Sequence, residues 1–205
     1  MPEFKTHNLW PMSIYESKLP VKDEWLKYVK NLDYRRTHIG NSDISKDRYV
    51  LEKMPDLKQK IESHLENYIR KYLTISENIS FPMLNSWVNI HLPNDGAQKH
   101  YHCNSLFSGV YYLITPKNCG GLVFHKSSTI VNLFHSSIRV EYDEANHLHA
   151  EEYIIPVEKG DIVFFPSHLT HSVEKNLSNE PRVSMAFNFW IKGKLGKEEY
   201  KLDFK

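Results

Sequence analysis

The sequence lacks a long hydrophobic run. Its apolar stretches extend over only a handful of residues, far short of the roughly 20 that a bilayer-spanning helix needs. The opening segment, MPEFKTHNLW, has no basic stretch leading into an apolar one, so no secretory leader is indicated and a cytoplasmic location is expected, the host cytoplasm if the source is viral. Cysteine is scarce. Cys103 and Cys119 can pair only once and show no CxxC spacing, which excludes a disulfide framework and a cysteine-based structural zinc site. An excess of one charge is missing too. The 26 Lys and Arg against 25 Asp and Glu leave a formal charge of +1, so no global field draws the chain to nucleic acid or anionic lipid. The chain also lacks the low hydrophobicity of disordered sequences, since 40% of residues are apolar and 13% aromatic, enough to build a core.

Histidine is what the sequence has in quantity, with 12 in 205 residues. The length predicts one domain over residues 1–205, organised in three zones. Residues 1–80 read as a mostly helical scaffold, residues 81–192 as a β core and residues 193–205 as a solvated tail of mixed charge. In the scaffold, Leu57, Ile61, Leu65, Tyr68, Ile69, Tyr72 and Leu73 recur at spacings of three and four and line one face of a helix that starts near Pro55. A shorter helix is expected from Val21, and the segment THIGNSDISKDR between them reads as polar loop. From Phe81, short runs rich in Val, Ile, Phe and Tyr alternate with turn residues. Strands are expected at 84–92, 99–103, 108–114, 122–125, 139–142, 152–157, 161–165, 170–174 and 182–190. Eight or nine short strands predict a two-sheet sandwich or jelly roll with helices packed on one sheet. The stretch 126–151 is the least patterned and reads as an insertion, a lid or a long hairpin.

Within the β zone, His100-Tyr101-His102 stands out. Residues i and i+2 of a strand point to one face, so the two imidazoles would project together. A third, His171, follows the buried run Val163-Phe164-Phe165. Three nitrogen ligands leave coordination positions open, which suits catalysis better than structure. HxH alone is a weak signal, and His147-Leu148-His149 repeats it in the unpatterned stretch; the company of His171 selects the first copy. The last strand alternates Arg182, Ser184, Ala186 and Asn188 against Val183, Met185, Phe187 and Phe189. An arginine on the smaller-residue face calls for an anion.

From about Trp87 to Trp190 these motifs resemble the Fe(II)- and 2-oxoglutarate-dependent oxygenases of the double-stranded β-helix (cupin-like) fold, especially the prolyl-hydroxylase-like branch and small phage and bacterial members. The resemblance implies a metal site of His100, His102 and His171, with Arg182 binding the far carboxylate of 2-oxoglutarate. SGVYYLIT resembles the strand whose second tyrosine bonds that carboxylate, which nominates Tyr112. NCGGLVFHK resembles the glycine pair and strand that follow. WVNIHLPNDG nominates Asn89 as a cosubstrate contact, and Ser184 matches the RxS pattern. The resemblance implies a hydroxylase that uses Fe(II), 2-oxoglutarate and dioxygen and releases succinate and carbon dioxide, with a peptide or protein side chain as substrate class. Val110, Val163, Phe164, Phe165 and Phe187 are expected either to keep the site dry or simply to be core. One position departs from the pattern: His102 stands where a carboxylate is usual, adding one positive charge to the metal site. A working three-histidine site, a ligand taken from Asp95 or Asp161, and a site that binds metal without turnover all follow as alternatives. So do a cupin-like three-histidine enzyme that does not use 2-oxoglutarate and a non-catalytic β-sandwich binding module. Oxidative nucleic-acid repair ranks lower, because no basic stripe with interleaved aromatics is present.

Overall fold

The computed structural model describes residues 3, 5–8, 11–38, 41–126, 140–144, 146–196 and 198–204. Strand β1 (Tyr15–Lys18) precedes helix α1 (Asp23–Lys30), and β2 (Tyr34–Thr37) and β3 (Ser42–Ser45) precede helix α2 (Pro55–Glu66). The remaining strands are β4 (Ile79–Ser80), β5 (Met83–His91), β6 (Ala97–His100), β7 (Phe107–Ile114), β8 (Leu122–His125), β9 (Glu152–Ile155), β10 (Asp161–Pro166), β11 (His171–Val173), β12 (Arg182–Phe189), β13 (Lys192–Leu195) and β14 (Leu202–Phe204). Among the described residues, no helix is long and apolar enough to cross a membrane.

The strands form a seven-stranded sheet, β1-β10-β7-β12-β5-β3-β2, a four-stranded sheet, β6-β11-β8-β9, and a small one, β14-β13-β4. The first two supply the layers of a jelly roll, and period-two alternation divides their side chains between two cores. Ile162 and Phe164 of β10 join a large core that also holds Trp25 and Val29 of α1 and Leu57, Ile61 and Leu65 of α2. Val163 and Phe165 turn the other way and join Tyr112, Leu122, Phe124 and Ile155. Of the five apolar residues expected near the site, Phe164 and Phe187 therefore belong to the helix-side core, because odd and even positions of one strand cannot share a face. Val110, Val163 and Phe165 pack on the inner side.

Both helices follow from their sequences. In α1, Asp23 and Glu24 lie in the first turn and Lys27 and Lys30 in the last, which complements the helix dipole. Pro55 opens α2, where its missing N–H costs nothing. Leu57, Ile61 and Leu65, four apart, are buried, each contributing about 1.5–3 kcal/mol. Three expectations need correction. THIGNSDISKDR is not all loop: it holds Thr37, the last residue of β2, and the whole of β3, which pairs with β2 and β5, because non-local ladder bonds outweigh its polar local character. The N-terminal zone is thus strand as well as helix. The tail is solvent-exposed as expected but is not irregular, since β13 pairs with both β14 and β4. Finally, Val140, Glu141 and Tyr142 form no strand. Arg139, and His135 within the expected lid, lie outside the described residues.

Candidate metal and anion site

A cavity of about 400 Å³ opens between the two main sheets, and all seven nominated residues line it: Asn89, His100, His102, Tyr112, His171, Arg182 and Ser184. Each arrives from a different register of the same scaffold. His100 and His171 are direct partners in the β6–β11 ladder, which places opposing side chains on one face a few ångströms apart. Their rings lie 4.3 Å apart, centroid to centroid. His102 comes by a route the alternation rule did not foresee. Strand β6 ends at His100, and His102 follows in a loop pinned where its N–H donates to the Ser167 carbonyl at 2.9 Å. Its ring stands 5.4 Å from that of His100 and 5.1 Å from that of His171. One ligand-capable nitrogen from each histidine lies within 4.8 Å of the other two.

Hydrogen bonds fix which nitrogens are bare. His100 donates from Nδ1 to the Gln98 carbonyl at 2.7 Å, and His171 donates from Nδ1 to the Leu169 carbonyl at 2.9 Å. A carbonyl can only accept, so in both rings the proton sits on Nδ1 and Nε2 keeps its lone pair, the arrangement seen in metal-binding histidines. Burial holds His102 down to about 4, helped by the nearby charges of His100 and Arg48. Burial likewise holds His171 down to about 3. Both are neutral at physiological pH, the form that binds a cation. Among the described residues no other cluster has ligand spacing. His147 and His149 lie in a turn, where His149 stacks on Tyr142 at 3.6 Å.

Neither acidic alternative reaches this cluster. Asp95 accepts from both terminal nitrogens of Arg36, one of them at 2.6 Å, and from the Leu92 N–H at 2.9 Å. Asp161 pairs with Lys18 at 2.7 Å and accepts from the Glu158 N–H at 2.6 Å, bracing its own turn. Among the described residues that line the cavity, none is Asp or Glu.

Arg182 is 1% exposed, the largest of the fully buried side chains. Its Nη1 donates to the carbonyls of Cys119 and Gly120 at 2.8 and 3.1 Å, whereas Nε and Nη2 are buried with no partner. The turn that supplies those carbonyls needs its glycine: Gly120 has φ +78° and a Cβ there would come within 2.8 Å of the Lys175 carbonyl. Two guanidinium nitrogens buried on the cavity wall with no protein partner suit an anion. Burial pushes Arg182 down from its usual range while Tyr112 beside it pushes up, and a guanidinium stays charged throughout. Tyr112 itself is buried, which raises its hydroxyl. It is the register partner of Ser184 on β12, and Ser184 in turn partners Asn89 on β5. Tyr111, the first tyrosine of the pair, instead turns away and donates to the Leu19 carbonyl at 3.0 Å.

Among the cavity residues that the sequence reading did not nominate is His91. His91 is 4% exposed, lines the cavity and is the register partner of Arg182, yet neither of its ring nitrogens has a partner. Burial and the Arg182 charge push it down to about 3. The signal was present: Trp87, Asn89 and His91 alternate on one strand, so any face that carries Asn89 carries His91.

Residues 85–188 match the family model described as "Putative 2OG-Fe(II) oxygenase". The chain belongs to the 2OG-Fe(II) oxygenase family. It is thus a 2-oxoglutarate-dependent enzyme of the oxygenase type, with Fe(II) as metal and 2-oxoglutarate and dioxygen as cosubstrates. No curated protein matches the sequence, but solved structures share its jelly-roll fold. A Burkholderia pseudomallei 2OG-Fe(II) oxygenase superposes with a TM-score of 0.58 at 13% identity, covering 82% of this chain and 77% of that one. HygX from Streptomyces hygroscopicus, solved with nickel, 2-oxoglutarate and hygromycin B, gives 0.57 at 11% identity over 87% and 83%. A Pseudomonas putida prolyl-4-hydroxylase gives 0.51 at 12% identity over 87% and 92%. The oxygenase's own residues fit the implied groups: three clustered imidazoles form a donor set for a divalent transition metal, and the two unpartnered nitrogens of Arg182 suit one carboxylate.

Proposed function

We propose that this oxygenase hydroxylates its substrate, with Fe(II) held by His100, His102 and His171 and 2-oxoglutarate anchored at Arg182. The prolyl-hydroxylase-like motifs favour a peptide or protein side chain as substrate class. One observation carries the reading: bare imidazole nitrogens and a buried arginine with two free donors face the same cavity. When bound, iron and 2-oxoglutarate supply the oxidation, in which one atom of dioxygen ends in succinate as carbon dioxide leaves and the other in the substrate.

The protein's tasks are to bind, orient and exclude water. The Nδ1–H bonds of His100 and His171 fix both rings and leave Nε2 as the nitrogen that would hold the metal. Arg182 offers Nε and Nη2 as a planar fork to the distal carboxylate, with Tyr112 and Ser184 donating hydroxyls beside it. His91 stands across the ladder from Arg182 and gives that carboxylate a further N–H. Asn89 shares its strand face and would contact the cosubstrate from the same cavity wall. Val110, Val163 and Phe165 close the inner side against water.

The test is oxygen uptake by Fe(II)-loaded protein with and without 2-oxoglutarate, together with succinate assay. Uptake that requires the keto acid and matches succinate formation is expected. Uptake indifferent to it would transfer the chain to the three-histidine enzymes that need no cosubstrate, and failure to retain divalent metal would remove the site altogether.

A further inference from the structure

Arg48 is half-buried on the wall of the cavity, with its guanidinium carbon 4.2 Å above the ring of Trp87. Trp87 in turn packs against His102, ring to ring at 5.9 Å. The cation therefore stands one aromatic ring away from a proposed metal ligand, and its charge is felt there.

What Arg48 lacks is an acid. Of the three arginines described outside the cavity, two are matched by acids, Arg36 by Asp95 and Asp43 and Arg70 by Glu66, while the third, Arg35, is exposed to solvent. Among the described residues Arg48 has no carboxylate partner. The charged side chain that acts on it is another arginine, Arg35, and both that neighbour and burial push it down. A guanidinium that is partly desolvated, adjacent to a like charge and without a counter-ion is unfavourable on its own. Stacking on Trp87 recovers only about 0.5–2 kcal/mol.

The charge count of the cavity points the same way. No acid lines it and the three proposed metal ligands are imidazoles, none of which brings a negative charge, so the two positive charges of Fe(II) would be cancelled by the two negative charges of 2-oxoglutarate. Arg182 and Arg48 then remain as uncompensated cations. A carboxylate at position 102 would have offset one of them; a histidine there does not.

We infer that Arg48, stacked on Trp87, is the binding point for an oxyanion of the primary substrate, a carboxylate or phosphate carried close to the position that is oxidised. This rests on the cosubstrate reading above, since it assigns Arg182 to 2-oxoglutarate and leaves Arg48 to the second ligand. Arg48 selects substrate, Trp87 orients the guanidinium, and Arg35 adds long-range attraction from the exposed rim.

The experiment uses full-length protein loaded with Zn(II) in place of iron and saturated with 2-oxoglutarate. Inorganic phosphate and acetate are titrated in separate calorimetric runs at constant ionic strength. Saturable binding of one of them is expected, phosphate marking a phosphoryl substrate and acetate a carboxylate. Arg48→Gln should weaken that binding about tenfold or more, as loss of a charge-assisted contact predicts, and leave 2-oxoglutarate affinity within about twofold. Arg48→Lys keeps the charge without the fork and should fall between. Arg35→Gln, a change at an exposed position, should lower affinity less than Arg48→Gln and serves as the variant with least effect on folding. Equal anion binding by wild type and Arg48→Gln, or no binding of either anion by the wild type, would overturn the assignment. So would loss of 2-oxoglutarate affinity in Arg48→Gln, which would give Arg48 to the cosubstrate. Wild type that takes the anion at Arg48 but refuses 2-oxoglutarate would sink the cosubstrate reading and leave the Arg48 site standing.

Discussion

His91 and Arg182 face one another across the β5–β12 ladder, both almost wholly buried and both with nitrogens that bond to nothing. Two neighbouring donors left unsatisfied in a packed interior are costly, roughly 1–3 kcal/mol for each group. A fold maintained at that cost has its partner in a ligand. A carboxylate with two oxygens and about four lone-pair directions matches the pair.

Replacing Arg182 by alanine should therefore weaken 2-oxoglutarate binding by about two orders of magnitude or more, from the loss of charged hydrogen bonds worth about 1.5–3 kcal/mol each. Metal affinity should stay near the wild-type value. Parallel titrations with Mn(II) and with 2-oxoglutarate check this, and an unchanged cosubstrate affinity would contradict the assignment of the anion site.

His91→Leu separates ligand binding from folding. The apo variant should be as stable as the parent or more so at pH 6, since an unpaired buried imidazole is replaced by an apolar group of similar bulk, while 2-oxoglutarate binds about tenfold more weakly. The stability profile should change as well. His91 is held at about 3 in the fold against about 6.5 in an unfolded chain, so the unfolded state takes up the extra proton and stability falls as pH drops between those values. Charged neighbours act in both directions, with Arg182 and Arg36 lowering and Asp95 raising. Denaturant melts of apo protein from pH 7 to 4 should show a slope shallower in the variant by up to about 1.4 kcal/mol per pH unit, one proton's worth.

Position 102 can be tested by giving it a carboxylate. His102→Asp should retain stoichiometric metal and support succinate formation, whereas His102→Ala should lose metal affinity. Metal content by mass spectrometry and a succinate assay provide the two readings; if neither variant alters either quantity, His102 is no ligand.

Asp95→Asn should cost about 1–2 kcal/mol of stability, the half-exposed Arg36 moderating what a buried pair would lose. Metal content should not move, because the carboxylate is committed to Arg36 and the Leu92 N–H. A drop in bound metal with unchanged melting would return Asp95 to the list of candidate ligands.

Much of the site was legible because its residues sit on period-two strands. Once Arg182 is placed on β12, Ser184 must share its face, and Tyr112 and Tyr111 must part. The same rule reached too far at His102, which lies past the end of β6 and joins the cluster through a loop bond to Ser167. It also stopped short at His91, where local alternation was visible but nothing in the chain showed that an arginine ninety-one positions later would lie opposite.

Local pattern was enough for the jelly-roll class, the two helices and the roster of imidazoles and guanidinium, because side-chain periodicity and turn chemistry act within a few residues. Tertiary structure alone decided the rest. Which HxH pair meets a third histidine, whether Asp95 and Asp161 are free or engaged, where the polar segments 37–48 and 193–205 find strand partners, and which arginines lack an acid all depend on pairing between distant stretches. Backbone hydrogen bonds and burial set those pairings, and no local pattern encodes them.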